Sequence, residues 1–207
     1  MTFPSGQPAI KLEGRFHLPS GRSPFPAAVV CHPYPPSGGS MRVPLVRSIA
    51  FRLAEASIAA LRFNFRGVGN SGGRFDDGQG ELDDLAGAFN WLSAQPAVDP
   101  GRVALVGYSF GATMALGHAI HDDRARALVL IGLPLTWMAL PPISDCRPWL
   151  LVVGERDQFC PLPDLHAFAQ GLKGDAMVHA VSGADHFLFG YETEVVGVVA
   201  DFLQKVL

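Results

Sequence analysis

The run V-A-L-V-G-Y-S-F-G-A-T-M-A-L, from Val103 to Leu116, decides how the rest of the chain is read. Its first four residues are apolar without alternation, which suits a strand covered on both faces, and the part after Gly111 has the pattern of an amphipathic helix. Between them, Gly107-Tyr108-Ser109-Phe110-Gly111 forms a G-x-S-x-G turn. The spacing has a mechanical meaning there. The chain must turn sharply enough to leave the Ser109 hydroxyl at the tip, with the serine in a strained backbone conformation. Large side chains two positions before or after it would clash, which gives Gly107 and Gly111 a steric role. Ala112 and Ala115 let the helix pack close to the sheet, and the helix N-terminus favours negative charge beside Ser109. An ordinary strand-to-helix turn is the plainer account, but the apolar strand before and the small residues after favour a nucleophile.

Outward from this turn, short apolar runs alternate with longer helical stretches. The runs are Ala27–Cys31, Ala59–Phe65, Val103–Val106, Ala127–Ile131, Trp149–Val153 and Met177–Val181. Helical patterns fall near Arg42–Ala56, Gly80–Gln95, Ser109–Ile120, Pro163–Gln170 and Glu192–Leu207. Strand and helix in turn predict a three-layer α/β fold, a mostly parallel twisted sheet with helices on both faces. Residues Ile10–Leu18 read as an additional strand at an antiparallel edge. Pro33–Pro36 and Pro141–Pro142 each follow a predicted strand and read as loops at the ligand-binding end of the sheet. No repeat or linker interrupts the chain, so residues 1–207 are expected to form one domain.

Composition narrows the function. A chain of 207 residues with 48% hydrophobic and 17% charged residues can bury a core. Its net charge of −3 and the lack of a basic stripe point away from nucleic acid and from anionic membranes. Cys31, Cys146 and Cys160 are odd in number and scattered, which fits buried free thiols better than disulfides or a zinc site. The start, M-T-F-P-S-G-Q-P, has no basic segment followed by an apolar run, so a cytoplasmic location is expected by default.

A serine needs a base, and the base needs an orienting group. Asp157, in G-E-R-D-Q-F after one predicted strand, and His186, in S-G-A-D-H-F after the next, are the candidates. Glu155 is nearer its strand end, and Asp185 adjoins the histidine in a way that points the two side chains apart. Asp164 reads as a helix start. His17, His118, His121, His166 and His179 fall on strands or helices and read as packing or surface residues. The loop His32-Pro33-Tyr34-Pro35-Pro36-Ser37-Gly38-Gly39 follows an early strand. Its prolines have no N–H, so Tyr34 is the natural backbone donor to an oxyanion, together with Phe110 after the serine. His32 is expected to shape this loop. Gly67 to Gly72 matches G-x-G-x-x-G, but the run enters more turn residues and not a helix, so an arginine-glycine turn is expected and not a nucleotide site.

Taken together, H-P-Y-P-P-S-G-G-S-M, R-F-N-F-R-G-V-G-N-S-G-G, G-Y-S-F-G and G-A-D-H-F resemble the α/β-hydrolase superfamily. The resemblance is closest to its small lidless, dienelactone-hydrolase-like bacterial serine esterases. It implies a Ser109–His186–Asp157 triad that cleaves carboxylic esters with short acyl chains through an acyl-enzyme. No metal and no organic cofactor is implied. A serine stands where dienelactone hydrolases proper have cysteine, so lactone specificity is not carried over. Only Gly132 to Pro148 separate two predicted strands, too few residues for a cap domain. Leu135, Trp137, Met138 and Phe187 are expected to wall the pocket. A thioesterase or small peptidase would use the same machinery, and a silent binding module could keep the same fold.

Overall fold

A computed structural model of the chain describes residues 1–7, 9–137, 143 and 145–207. Eight strands form a sheet: β1 (Thr2–Pro4), β2 (Lys11–His17), β3 (Phe25–Cys31), β4 (Ala59–Phe63), β5 (Val98–Tyr108), β6 (Ala127–Ile131), β7 (Trp149–Gly154) and β8 (Ala176–Val181). Five α-helices follow the expected pattern: α1 (Pro44–Glu55), α2 (Gln79–Ser93), α3 (Phe110–His121), α4 (Leu162–Gly171) and α5 (Glu192–Val206). The strand order is β1-β2-β4-β3-β5-β6-β7-β8. From β4 onward every neighbouring pair is parallel, while β1 and β2 run antiparallel.

The apolar runs are explained by helices on both faces. Along β6, Leu128 and Leu130 pack on the face shared with α2, α3 and α4. Ala127, Val129 and Ile131 pack on the opposite face with α1 and α5. Both sets are buried, so no residue of the strand has reason to be polar. Burying each large side chain contributes about 1.5–3 kcal/mol relative to exposure. No cap domain occurs among the described residues. No helix there is long and apolar enough to cross a membrane.

Three expectations need correction. The strand expected over Ile10–Leu18 is antiparallel but is not the edge, because Thr2–Pro4 pairs outside it, Thr2 opposite Glu13. The strand expected to reach Phe65 ends at Phe63, since the Phe65 N–H leaves the ladder and donates to His32 Nε2 at 3.1 Å. Of the cysteines, Cys31 and Cys160 are buried but Cys146 is exposed. The loop expected at Pro141–Pro142 lies outside the described residues.

The glycine run after β4 is a closed turn. The Gly67 N–H donates to the Gly72 carbonyl at 3.0 Å, and α2 starts only at Gln79. The buried Arg66 guanidinium clasps the fully buried Asp84 of α2 through Nε–Oδ2 and Nη2–Oδ1 contacts of 3.1 and 2.9 Å. Such a fork-shaped pairing locks the turn against the helix.

Candidate active site

Ser109 stands between β5 and α3 with φ 54° and ψ −117°, a left-handed backbone that a non-glycine residue rarely adopts. Its N–H donates to the Ile131 carbonyl at 2.8 Å, which anchors the turn to β6. The two flanking glycines are sterically required. A Cβ on Gly107 would sit 2.2 Å from the Gly111 carbonyl oxygen, and one on Gly111 would sit 2.5 Å from that of Cys31.

Asp157 follows β7, and His186 follows β8, at the same end of the sheet. His186 Nε2 lies 2.9 Å from Ser109 Oγ, and its Nδ1 lies 2.8 Å from Asp157 Oδ2. All three residues are buried. The other Asp157 oxygen accepts the Phe159 and Cys160 N–H groups at 2.8 and 2.9 Å. Both carboxylate oxygens are therefore engaged, which fixes the carboxylate plane and directs Oδ2 at the imidazole. With Nδ1 donating to the carboxylate, Nε2 is free to accept the serine proton.

The competing groups are occupied elsewhere. Glu155 accepts from Ser182 Oγ and the Gly183 N–H, and Asp185 accepts the Phe187 N–H, so both brace the histidine loop. His17 accepts from Arg62 Nε, His179 meets Glu194, and His118 lies 3.4 Å from Asp122. Cys160 is pushed up to about 12 by burial, with Asp157 and Asp164 adding to the shift, so its thiol stays protonated beside the site.

On the other side of Ser109, the loop after β3 carries Tyr34. Neither the Tyr34 nor the Phe110 amide N–H is engaged by a described residue, which leaves both available as donors. Their rings lie 5.8 Å apart. His32 is fully buried and spans the loop, with Nδ1 2.7 Å from the Pro33 carbonyl and Nε2 accepting from Phe65. Burial lowers its pKa to about 4, against the opposing pull of the Pro33 bond, so this imidazole is a neutral strut.

Ser109 and His186 open on a cleft of about 340 Å³. Trp137 and Phe187 line it, together with Tyr34, Phe159 and Phe189. Leu135 does not line it. It lies in a short 3-10 turn, Leu135–Trp137, and packs against the core. Met138 lies outside the described residues. Among the described residues, no cluster of three His, Cys, Asp or Glu side chains is arranged to hold a metal ion.

Sequence reasoning missed two residues. Tyr108 is buried under the histidine loop and donates from its hydroxyl to the His186 and Phe187 carbonyls. Gly132 has φ 55°, and a Cβ there would meet His186 Cε1 at 3.2 Å and Asp157 Oδ2 at 3.5 Å. The aromatic residue inside G-x-S-x-G was the available signal for Tyr108. Nothing local marks Gly132, because its crowding comes from two distant loops.

Residues 7–138 match the family model described as X-Pro dipeptidyl-peptidase (S15 family). An uncharacterized protein of Rickettsia prowazekii is 30% identical over 200 residues, covering 90% of this chain and 81% of its own length. A solved structure from Xanthomonas campestris, described as an α/β serine hydrolase without a lid, is 29% identical with a TM-score of 0.85. The match covers 100% of this chain and 94% of that one. A thiohydrolase of Arthrinium phaeospermum is 37% identical over 90 residues, which cover 42% of this chain and 29% of that protein.

Proposed function

The chain belongs to the α/β serine hydrolases, in the X-Pro dipeptidyl-peptidase (S15) family, and from that premise we propose that it cleaves carboxylic esters through an acyl-enzyme on Ser109. The observation that carries this reading is the single imidazole bonded at one nitrogen to Asp157 and at the other to Ser109. In the first step His186 Nε2 takes the Ser109 proton as Oγ attacks the ester carbonyl carbon. Asp157 holds the imidazole in place and balances its positive charge. The oxyanion is met by the Tyr34 and Phe110 N–H groups, each such donor being worth about 3 kcal/mol of barrier. His186 returns the proton to the departing alcohol, and water repeats the sequence to release the acid.

An ester is favoured over a dipeptide by the cleft's chemistry. Its lining is mainly apolar and aromatic, with Glu192 as its one carboxylate among the described residues. A neutral substrate of modest size, such as a short acyl ester, suits such walls. A thioester is the second reading, supported by the thiohydrolase relative.

A fluorophosphonate probe should label the wild type and not Ser109→Ala. Turnover of p-nitrophenyl acetate should exceed that of an X-Pro anilide. A folded wild type that stays unlabelled would overturn the serine mechanism, and faster thioester turnover would favour the second reading.

A further inference from the structure

Beside the cleft on Ser109 lies another, of about 330 Å³, whose walls include Tyr34, Phe75, Asp77, Phe110, Met114 and Trp137. Tyr34 and Trp137 line both clefts, whereas His186 lines only the first. This difference orients an ester. The leaving oxygen must reach His186 to be protonated, so the alcohol part belongs in the first cleft. The oxyanion is directed at the amides of Tyr34 and Phe110, two residues whose side chains wall the second cleft. The remaining substituent on the carbonyl carbon is the acyl group, and past Tyr34 and Trp137 it enters that second space.

We propose that the second cleft is the acyl subsite and that it selects neutral acyl groups ending in an aromatic ring, of the arylalkanoyl class. This rests on the ester-hydrolase reading of Ser109. The walls favour a flat guest. Tyr34 and Phe75 are perpendicular at 5.3 Å between centroids, Tyr34 and Phe110 are at 64° and 5.8 Å, and Phe75 and Phe110 are at 59° and 5.8 Å. A further ring can continue this edge-to-face pattern, which an alkyl chain cannot. Asp77 is the charged residue of the lining among the described residues, and its carboxylate opposes an acyl group that carries its own negative charge.

The subsite is held in shape before any substrate arrives. Asp77 and Gly78 both have left-handed backbones, φ 48° and 92°, turning the chain at the rim beside Met114 and Phe110. The fully buried Glu81 fixes this turn by accepting the Asp76 and Gly78 N–H groups at 3.0 and 2.8 Å. A wall fixed in this way loses little freedom on binding. The segment after the glycine run, R-F-D-D-G from Arg74 to Gly78, thus acquires a role as the outer wall of a binding site.

The test keeps p-nitrophenol as leaving group and varies the acid: acetate, hexanoate and 3-phenylpropanoate. Wild type should prefer 3-phenylpropanoate to acetate in kcat/KM. Phe75→Ala should lower the ratio of the 3-phenylpropanoate value to the acetate value about threefold to tenfold. Phe75→Leu, the gentler change, should do the same to a smaller degree, and unaltered circular dichroism spectra report an intact fold. 2-Naphthyl acetate, with its ring in the leaving group, should keep its ratio to p-nitrophenyl acetate in both variants. Equal losses on all acids, no preference for the ring, or a fall in the ratio of 2-naphthyl to p-nitrophenyl acetate would overturn the assignment. If no ester is turned over, the ester reading fails instead. The subsite is then judged by 3-phenylpropanamide binding, read as tryptophan fluorescence quenching. That signal should weaken in Phe75→Ala, and an unchanged one overturns the proposal.

Discussion

The Tyr108 hydroxyl lies 3.1 Å from the carbonyl oxygen of His186 and 3.2 Å from that of Phe187. The residue just before the candidate nucleophile therefore grips the loop carrying the candidate base. Tyr108→Phe keeps the ring and removes the donor. We expect kcat to fall about tenfold with KM nearly unchanged, alongside a stability loss of about 1–3 kcal/mol, chiefly for the buried His186 carbonyl left without it. Steady-state kinetics and urea unfolding of the same preparation check both figures; a KM-only effect would contradict the positioning role.

Asp157→Asn tests orientation without changing size. The Phe159 and Cys160 N–H groups require an acceptor, so the amide oxygen should turn to them and present NH₂ to His186 Nδ1. The imidazole must then carry its proton on Nε2, facing Ser109, where it cannot act as base. Ester turnover should drop on the order of 10³–10⁴-fold with the fold retained. Circular dichroism and the kcat ratio decide the matter, and a loss below tenfold would remove Asp157 from the mechanism.

His32 gives the fold a dependence on acidity. Its folded pKa is lowered from 6.5 to about 4, chiefly by burial. Below pH 6.5 the unfolded chain takes up a proton that the folded chain refuses, so stability falls as pH drops from about 6.5 toward 4. Below that window the loss is complete, at about 3 kcal/mol from this residue. His17 is lowered to about 4 as well, by burial and then Arg62, but it is only partly buried and should contribute less. Urea midpoints at pH 7 and pH 4.5 should differ accordingly, and His32→Asn should flatten the slope. An unchanged slope in that variant would rule out His32 as its source.

Arg66→Ala removes one half of a buried ion pair and strands Asp84 without its cation. The expected cost is about 3–5 kcal/mol. Asp84 also accepts from the Arg66 N–H and Ser5 Oγ, which limits the damage. Differential scanning calorimetry should show a fall in Tm of several degrees, and a neutral result would mean that water replaces the guanidinium.

The sheet and the Ser109, Asp157 and His186 arrangement were legible because their signals are local. Val103–Val106 and Ala127–Ile131 lie between helical layers, so burial on both sides writes an unbroken apolar run into the sequence. The G-x-S-x-G spacing is dictated by contacts within the turn itself. Strand β1 was not legible, since Thr2–Pro4 is three residues long, includes a proline, and owes its existence to pairing with Lys11–Glu13. The clefts were only half legible. Trp137 and Phe187 stood out as apolar residues near the motifs, whereas Phe75 sits among polar turn residues and becomes a wall only through the rings of Tyr34 and Phe110. Leu135 misled because hydrophobicity alone does not tell which way a side chain in a short turn will point.

The backbone at position 109 is one that glycine would adopt willingly and serine does only under constraint. Ser109→Gly should release about 1–3 kcal/mol, partly offset by the greater freedom of glycine in the unfolded chain. Under the proposed mechanism, a sturdier and inert version of the molecule is thus a single codon away, and selection for thermal endurance alone would drift toward it. Keeping the hydroxyl at this tip is a standing sacrifice of robustness, one that the proposed nucleophilic role would explain.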